Sequence, residues 1–252
     1  MSASDVILEA EGLSKDFSGF RAVQAVDLAV RRGSVHALIG PNGAGKTTVF
    51  NLLTGFLRPS AGRIRFDGID ITGEPPVQVA RRGMVRSFQI SATFPHLSAL
   101  ENVRVALQRK LGNSLHFWER ESTLDVLNAR ALELLDAVDL GEFAQRVTVE
   151  LPYGRKRALE IATTLALDPQ LMLLDEPTQG MGHEDVGRVV ELIRKVARDR
   201  TILMVEHNLS VVETLSDVIT VLQRGSVLAQ GPYVEVSKDP RVLEAYVGVE
   251  AA

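Results

Sequence analysis

Short runs of branched apolar residues, broken by glycine, open the chain. Val6–Leu8, Ala25–Val30 and Ser34–Ile39 read as strands, with Gly19 and Gly33 as the breaks. After a glycine cluster at positions 40, 43 and 45, the pattern predicts a helix from about Lys46 to Thr54, stopped by Gly55 and then Arg58-Pro59. Arg63–Phe66 and Val85–Phe88 predict two more short strands. From about Ile90 to Glu150 the spacing turns helical: Val103, Leu107 and Leu111 share one face, and Leu124, Leu127, Ala131, Leu134, Leu135 and Val138 another. Within it, Gly112–Ser122 sets Phe117 and Trp118 among polar residues and predicts no element. The last third alternates in type: a helix over Arg155–Leu167, a strand Leu171–Leu174, a helix with Val186, Val189, Val190, Ile193 and Ala197 on one face, and a strand Thr201–Val205. Val218–Leu222 and Ser226–Ala229 flank Gln223-Arg224-Gly225 and predict a hairpin. Strands alternating with helices of this length pair in parallel and build an α/β layer fold.

Composition narrows the class. At ~100–200 residues per domain, 252 residues make one substantial domain. The absence of cysteine excludes a disulfide framework, cysteine-ligated zinc and a thiol nucleophile. With 28 basic against 32 acidic residues the net charge is −4, so no nucleic-acid partner is expected. No apolar run approaches the ~18 residues of a membrane span, and Met1–Glu11 carries Asp5 and Glu9 without a basic stretch. A cytoplasmic protein is the expectation.

Gly40-Pro41-Asn42-Gly43-Ala44-Gly45-Lys46-Thr47 fits G-x-x-x-x-G-K-S/T in full, between a predicted strand and a predicted helix. Glycines let successive backbone N–H groups turn inward around phosphate oxygens, and the helix starting near Lys46 adds the positive end of its dipole. Lys46 would reach the terminal phosphates, the Thr47 hydroxyl would ligate Mg2+, and Thr48 would add a phosphate contact. This much indicates a nucleotide binder, with kinase, GTPase, helicase and transport ATPase all open.

Leu171–Leu174 is an apolar run that ends in Asp175 and Glu176. Open parallel sheets bind ligands at the carboxyl ends of their strands. Asp175 would hold Mg2+ through water, and Glu176, pointing the other way by strand alternation, would polarise the attacking water as general base. His207 follows the next strand and would sense the γ-phosphate or orient that water.

These parts, in this order, resemble the nucleotide-binding subunits of ABC transporters over nearly the whole chain. Ser87-Phe88-Gln89 is similar to the family's Q-loop, Leu151-Pro152-Tyr153-Gly154-Arg155 stands in the place of its L-S-G-G-Q signature, and Glu176-Pro177-Thr178 and His207 complete the set. The resemblance implies a P-loop NTPase (RecA-like) core with a mainly parallel sheet, an N-terminal antiparallel β subdomain and a helical subdomain inserted at about 90–157, all in one nucleotide-binding domain. It implies that Gln89 ligates Mg2+ and couples to a membrane partner. It implies that Tyr153 and Gly154, at a helix start, bind the γ-phosphate of ATP on a second subunit, and that Phe17, with Val23, forms an apolar platform under adenine. Two departures stand out: Pro152 and Tyr153 replace the signature's Ser and Gly, and Gln179-Gly180-Met181-Gly182 lacks the usual aspartate. The L-x-Y-G signature, the long insertion and the ending Asp239-Pro240-Arg241-Val242-Leu243-Glu244-Ala245-Tyr246-Val247-Gly248 resemble the ATPases of branched-chain and hydrophobic amino-acid uptake, with relatives for urea or short amides. A lipopolysaccharide-export ATPase has a similar ending with a more conventional signature. A soluble ABC ATPase of translation or DNA repair would carry two halves or a long coiled coil, and a nucleotide sensor would lack turnover. The implied partners are a second ATPase, either a copy or a paralogue, two integral-membrane permeases and, indirectly, a solute-binding protein outside the cell. The implied place is the cytoplasmic face of the inner membrane, peripherally bound.

Overall fold

The computed structural model describes residues 5–87, 93–111 and 125–250. The chain begins with β1 (Val6–Phe17), β2 (Phe20–Arg31) and β3 (Val35–Ile39), then α1 (Lys46–Leu53), β4 (Ala61–Phe66), β5 (Ile69–Asp70), α2 (Pro76–Arg81) and β6 (Met84–Ser87). The helices α3 (Ala99–Leu111), α4 (Asn128–Ala137) and α5 (Tyr153–Ala166) follow. The rest alternates: β7 (Leu171–Asp175), α6 (His183–Ala197), β8 (Thr201–Val205), α7 (Leu209–Leu215), β9 (Val218–Gln223), β10 (Ser226–Gly231), α8 (Tyr233–Val236) and α9 (Pro240–Glu250). Two compact units result: Met1–Arg86 with Gln170–Gln179 and Ile193–Ala252, and Ser87–Pro169 with Gly180–Leu192.

The first unit holds two sheets. One is four-stranded in the order β2-β1-β4-β5, antiparallel throughout. The other is six-stranded in the order β10-β9-β3-β8-β7-β6, with β3, β7, β8 and β9 pairing in parallel and β10 antiparallel to β9. β3 and β8 are buried at every position, as strands covered on both faces must be, which is why their sequences are apolar but for His36 and Thr201. β1 and β2 are twelve residues each, longer than their apolar runs, and meet at a turn of Ser18 (φ 41) and Gly19 (φ 93). Register shifts between Ala10 and Asp16, with Ala25 at φ 44, break the alternation there and hid the strand length. Ile7, Leu13, Val26 and Ile64 of the antiparallel sheet join Phe50, Leu53, Leu173 and Leu203 in one core. His36 on β3 is buried among these strands with Nε2 2.8 Å from Thr220 Oγ1 on β9, and burial pushes its pKa down to about 4.

The second unit is helical. Ser98 starts α3 with a reciprocal cap: Glu101 Oε2 accepts the Ser98 N–H at 2.5 Å, and Ser98 Oγ accepts the Glu101 N–H at 3.2 Å. The buried Asn102 amide donates to Ser98 O and to Thr148 Oγ1, each at 2.9 Å, tying α3 to the segment before α5. Val103 and Leu107 of α3 and Ala131, Leu134 and Leu135 of α4 are buried, as the helical period predicts. α5 starts at Tyr153, two residues earlier than the pattern placed it, behind Pro152 in an extended conformation. On α5 Arg157 Nη1 donates to Glu160 Oε2 at 2.5 Å; both are buried, and burial pushes the Glu160 carboxyl up to about 7 against the opposing pull of Arg157. The unreadable Gly112–Ser122 lies outside the described residues.

Candidate functional site

At the end of β3 the chain turns at Gly40 (φ 148), where a Cβ would stand 2.2 Å from the Leu222 carbonyl oxygen of β9. Only glycine lets the loop lie on that strand. The β9–β10 turn braces the loop further: the Gly225 N–H donates to Ala44 O at 3.0 Å, and Gly225 O accepts the Gln24 N–H at 2.8 Å. Tyr246 on α9 takes the N–H of Gly40, and burial pushes its hydroxyl up to about 12. Lys46, the first residue of α1, donates from Nζ to Gly40 O at 2.7 Å and Pro41 O at 2.9 Å. Burial holds its pKa below the usual lysine value, opposed by the nearby charge of Glu176. A partly desolvated ammonium at the mouth of a loop whose amides turn inward is an anion receptor.

β7 carries Asp175 on its last residue. Glu176 does not continue the strand alternation expected of it: it takes a left-handed backbone (φ 47), with its N–H on Val205 O at 2.9 Å. Glu176 Oε1 lies 2.6 Å from His207 Nε2. An ionised carboxylate only accepts, so Nε2 carries the proton in that pair. Behind them, the buried Glu206 accepts from Thr178 N at 3.1 Å and from Thr178 Oγ1, and also from His207 N at 2.7 Å and Asn208 N at 3.1 Å. One carboxylate thus joins the loop after β7 to the loop after β8. Glu206 carries no motif; its signal in the sequence is an acid directly after the apolar run Ile202–Val205.

A groove of about 370 Å3 is lined by Phe20, Ala22, Asn42, Gly43, Ala44, Gly45, Lys46, Thr47, Thr48, Glu176 and His207. The phosphate loop, the acid and the histidine therefore face one space. Phe17 and Val23 are not in that lining. Phe17 is 41% exposed with Lys15 Nζ 5.2 Å from its ring centre, while Val23 is buried beneath Gly45. Phe20, paired with Phe17 across the hairpin and 67% exposed, lines the groove. Asp175 also lies outside the lining, with Oδ2 accepting from Arg86 Nη2. Gln89 lies outside the described residues. A larger cavity of about 710 Å3 belongs to the second unit and shares none of these residues.

In that unit Tyr153 and Gly154 form the first turn of α5. A Cβ on Gly154 would stand 2.9 Å from Asp185 Oδ1. Arg155 is turned aside, its guanidinium 3.7 Å from the centre of the Phe143 ring.

A family model described as ABC transporter matches residues 23–179, which contain the phosphate loop, the α5 segment and both acids. The chain belongs to this family. A second model, described as branched-chain amino acid ATP-binding cassette transporter, matches residues 226–252. The ABC protein is 40% identical over 249 residues to the high-affinity branched-chain amino acid transport ATP-binding protein BraF of Pseudomonas aeruginosa, covering 96% of this chain and 98% of that one. It is 37% identical over 253 residues to LivG of Escherichia coli, covering 97% and 99%. Among solved structures it is similar to an ATP-binding cassette of an ABC transporter in its ADP conformation, with a TM-score of 0.83, 28% identity and coverage of 96% and 99%. The ABC fold expected from the sequence, with its antiparallel and mainly parallel sheets, is the one found, and this ABC protein is an ATPase.

The oxygen donors of Thr47 in the groove and of Asp175 outside its lining suit Mg2+. The Thr47 hydroxyl and the Asp175 carboxylate are hard oxygen donors, and Mg2+ ordinarily takes one or two of these while keeping waters and substrate phosphates. Among the described residues no group of three or more His, Cys, Asp and Glu that could hold a metal ion is present. Among the described residues, too, no helix is long and apolar enough to cross a membrane.

Proposed function

We propose that this ABC ATPase powers an importer of branched-chain amino acids. The convergence of Lys46, Glu176 and His207 on the groove of the phosphate loop carries the ATPase chemistry. The solute follows from the named relatives and from the match at residues 226–252, which favours amino-acid uptake over lipopolysaccharide export.

In this reading the amides of Gly43 to Thr48 and the Lys46 ammonium hold the β- and γ-phosphates of ATP, and Phe20 packs against the base. Bound Mg2+, held by Thr47, Asp175 and Gln89, supplies neutralising charge on the phosphate oxygens. Glu176 takes a proton from water as the water oxygen bonds to the γ-phosphorus and the bond to ADP breaks. His207, through its Nε2–H, keeps that carboxylate aimed. The first turn of α5, at Tyr153 and Gly154, receives the γ-phosphate of ATP held by a second subunit, so two chains, copies or paralogues, complete two sites. The helical unit is the subdomain inserted in the single nucleotide-binding domain. ATP-driven closure then works two membrane permeases fed by an external solute-binding protein, with the ATPase bound peripherally at the cytoplasmic face of the inner membrane.

Glu176→Gln is expected to lower ATP turnover about a hundredfold or more while ATP binding persists; turnover at the parent rate would remove Glu176 from the role of base. Lys46→Ala is expected to weaken ATP binding itself, read by equilibrium titration. Trapping the Glu176→Gln protein with ATP and Mg2+ in native membranes should recover permeases, and vesicles rebuilt with them should take up leucine only when ATP is supplied. Uptake restricted to urea or amides would overturn the solute.

A further inference from the structure

We propose that Arg86 is a resident counter-ion for Asp175 and sets how much Mg2+ the nucleotide site requires. The inference rests on the ATPase reading above and assigns a positioning residue that neither the motifs nor the catalytic constellation includes.

Arg86 stands on β6, next to β7 in the sheet. Its side chain is 15% exposed and that of Asp175 12%. The guanidinium is held on three sides: Nη2 donates to Asp175 Oδ2, Nη1 donates to Asn51 Oδ1 on α1 at 2.7 Å, and its carbon lies 5.9 Å from the centre of the Phe50 ring. One planar cation therefore spans the strand end that carries Asp175 and the helix that begins with Lys46 and Thr47. A lysine has no fork to reach both acceptors. Buried ion pairs contribute little net stability against the cost of desolvating two charges, so stability alone is a poor account of this one.

The electrostatic consequence is direct. Guanidinium is charged at every attainable pH, so the Asp175 carboxylate is held oriented, with a positive charge already beside it. A divalent cation serving the same carboxylate shares it with a like charge in a poorly screened setting, and the repulsion raises the concentration at which that cation binds.

The test uses the full chain, a fluorescent ADP analogue that cannot be hydrolysed further, and a Mg2+ titration read as nucleotide binding, with thermal unfolding in parallel. Arg86→Gln removes the charge and is expected to lower the Mg2+ midpoint about tenfold while reducing thermal stability. Arg86→Lys keeps the charge but loses the Asn51 bond, and is expected to lower the midpoint no further than about threefold, as for Asn51→Ala, well short of Arg86→Gln. Asn51→Ala leaves both charges in place and frees one end of the fork, so a drop of about twofold to threefold is expected. If Arg86→Gln does not fold, Asn51→Ala decides. Midpoints unchanged in the folded variants, with only the melting temperature lowered, would show Arg86 to be a structural staple and overturn the proposal. So would a raised midpoint, or equal shifts for Gln and Lys. A parent protein that binds no nucleotide would instead overturn the functional reading itself.

Discussion

The strand-rich unit and the helical unit each bury a titratable side chain whose pKa lies far from its ordinary value, and burial acts on the two with opposite outcomes. His36, between the strands of the parallel sheet, is held neutral with a pKa of about 4 against its ordinary 6.5. Glu160, on α5, is held toward its protonated form at about 7 against 4.5. In both, desolvation disfavours the charged form. For the histidine that makes acid the threat: between pH 6.5 and 4 the unfolded chain takes a proton that the folded one refuses, and stability is lost as pH falls. For the glutamate the folded state keeps a proton that the unfolded one releases, so stability present below pH 4.5 is lost as pH rises toward 7. The units also differ in what surrounds their critical glycines. Gly40 faces the backbone carbonyl of Leu222, whereas Gly154 faces the side chain of Asp185. Backbone cannot step aside and a carboxylate can.

The sharpest way to break that contrast is at the glycines' neighbours. Gly40→Ala is expected to cost about 3 kcal/mol or more in urea unfolding and to abolish ATP binding, because strain and collision with backbone coincide. Next in size are the buried ionisable groups. Relative to His36→Gln, the parent should lose about 2–3 kcal/mol between pH 7.5 and 4.5. Relative to Glu160→Gln, it should gain a similar amount over the same range. Parallel pH profiles for a variant and its parent would remove that residue from the account. The smallest effect belongs to Gly154→Ala, where rotation of Asp185 and the better helix propensity of alanine offset each other within about 1 kcal/mol; a loss as large as that at Gly40 would mean the helical unit is as rigid there as the sheet.

Legibility followed the range of the determining contacts. β3, β7 and β8 were plain because strands covered on both faces are largely apolar, and the phosphate loop because its chemistry is written in consecutive residues. α2 and α7, of six and seven residues, are too short to display a helical period. Asn208, whose side chain accepts the Ser210 N–H at 3.1 Å, marked the start of α7 and went unread. The length of β1 and β2 was hidden by register shifts that only pairing reveals. Phe20 emerges as a groove wall through the hairpin turn at Ser18-Gly19, and Arg86 and Glu206 through contacts with residues distant in sequence. Where the resemblance put Phe17 and Val23 beneath the base, the hairpin puts Phe20 and Ala22 at the groove.

Glu176 holds a left-handed backbone that a glycine would adopt at ease and that costs another residue about 1 kcal/mol. Comfort of the turn and possession of the carboxylate exclude each other at this position. A screen that ranks variants of this protein by melting temperature alone will therefore favour Glu176→Gly, and so enrich a tougher molecule that has given up its reaction.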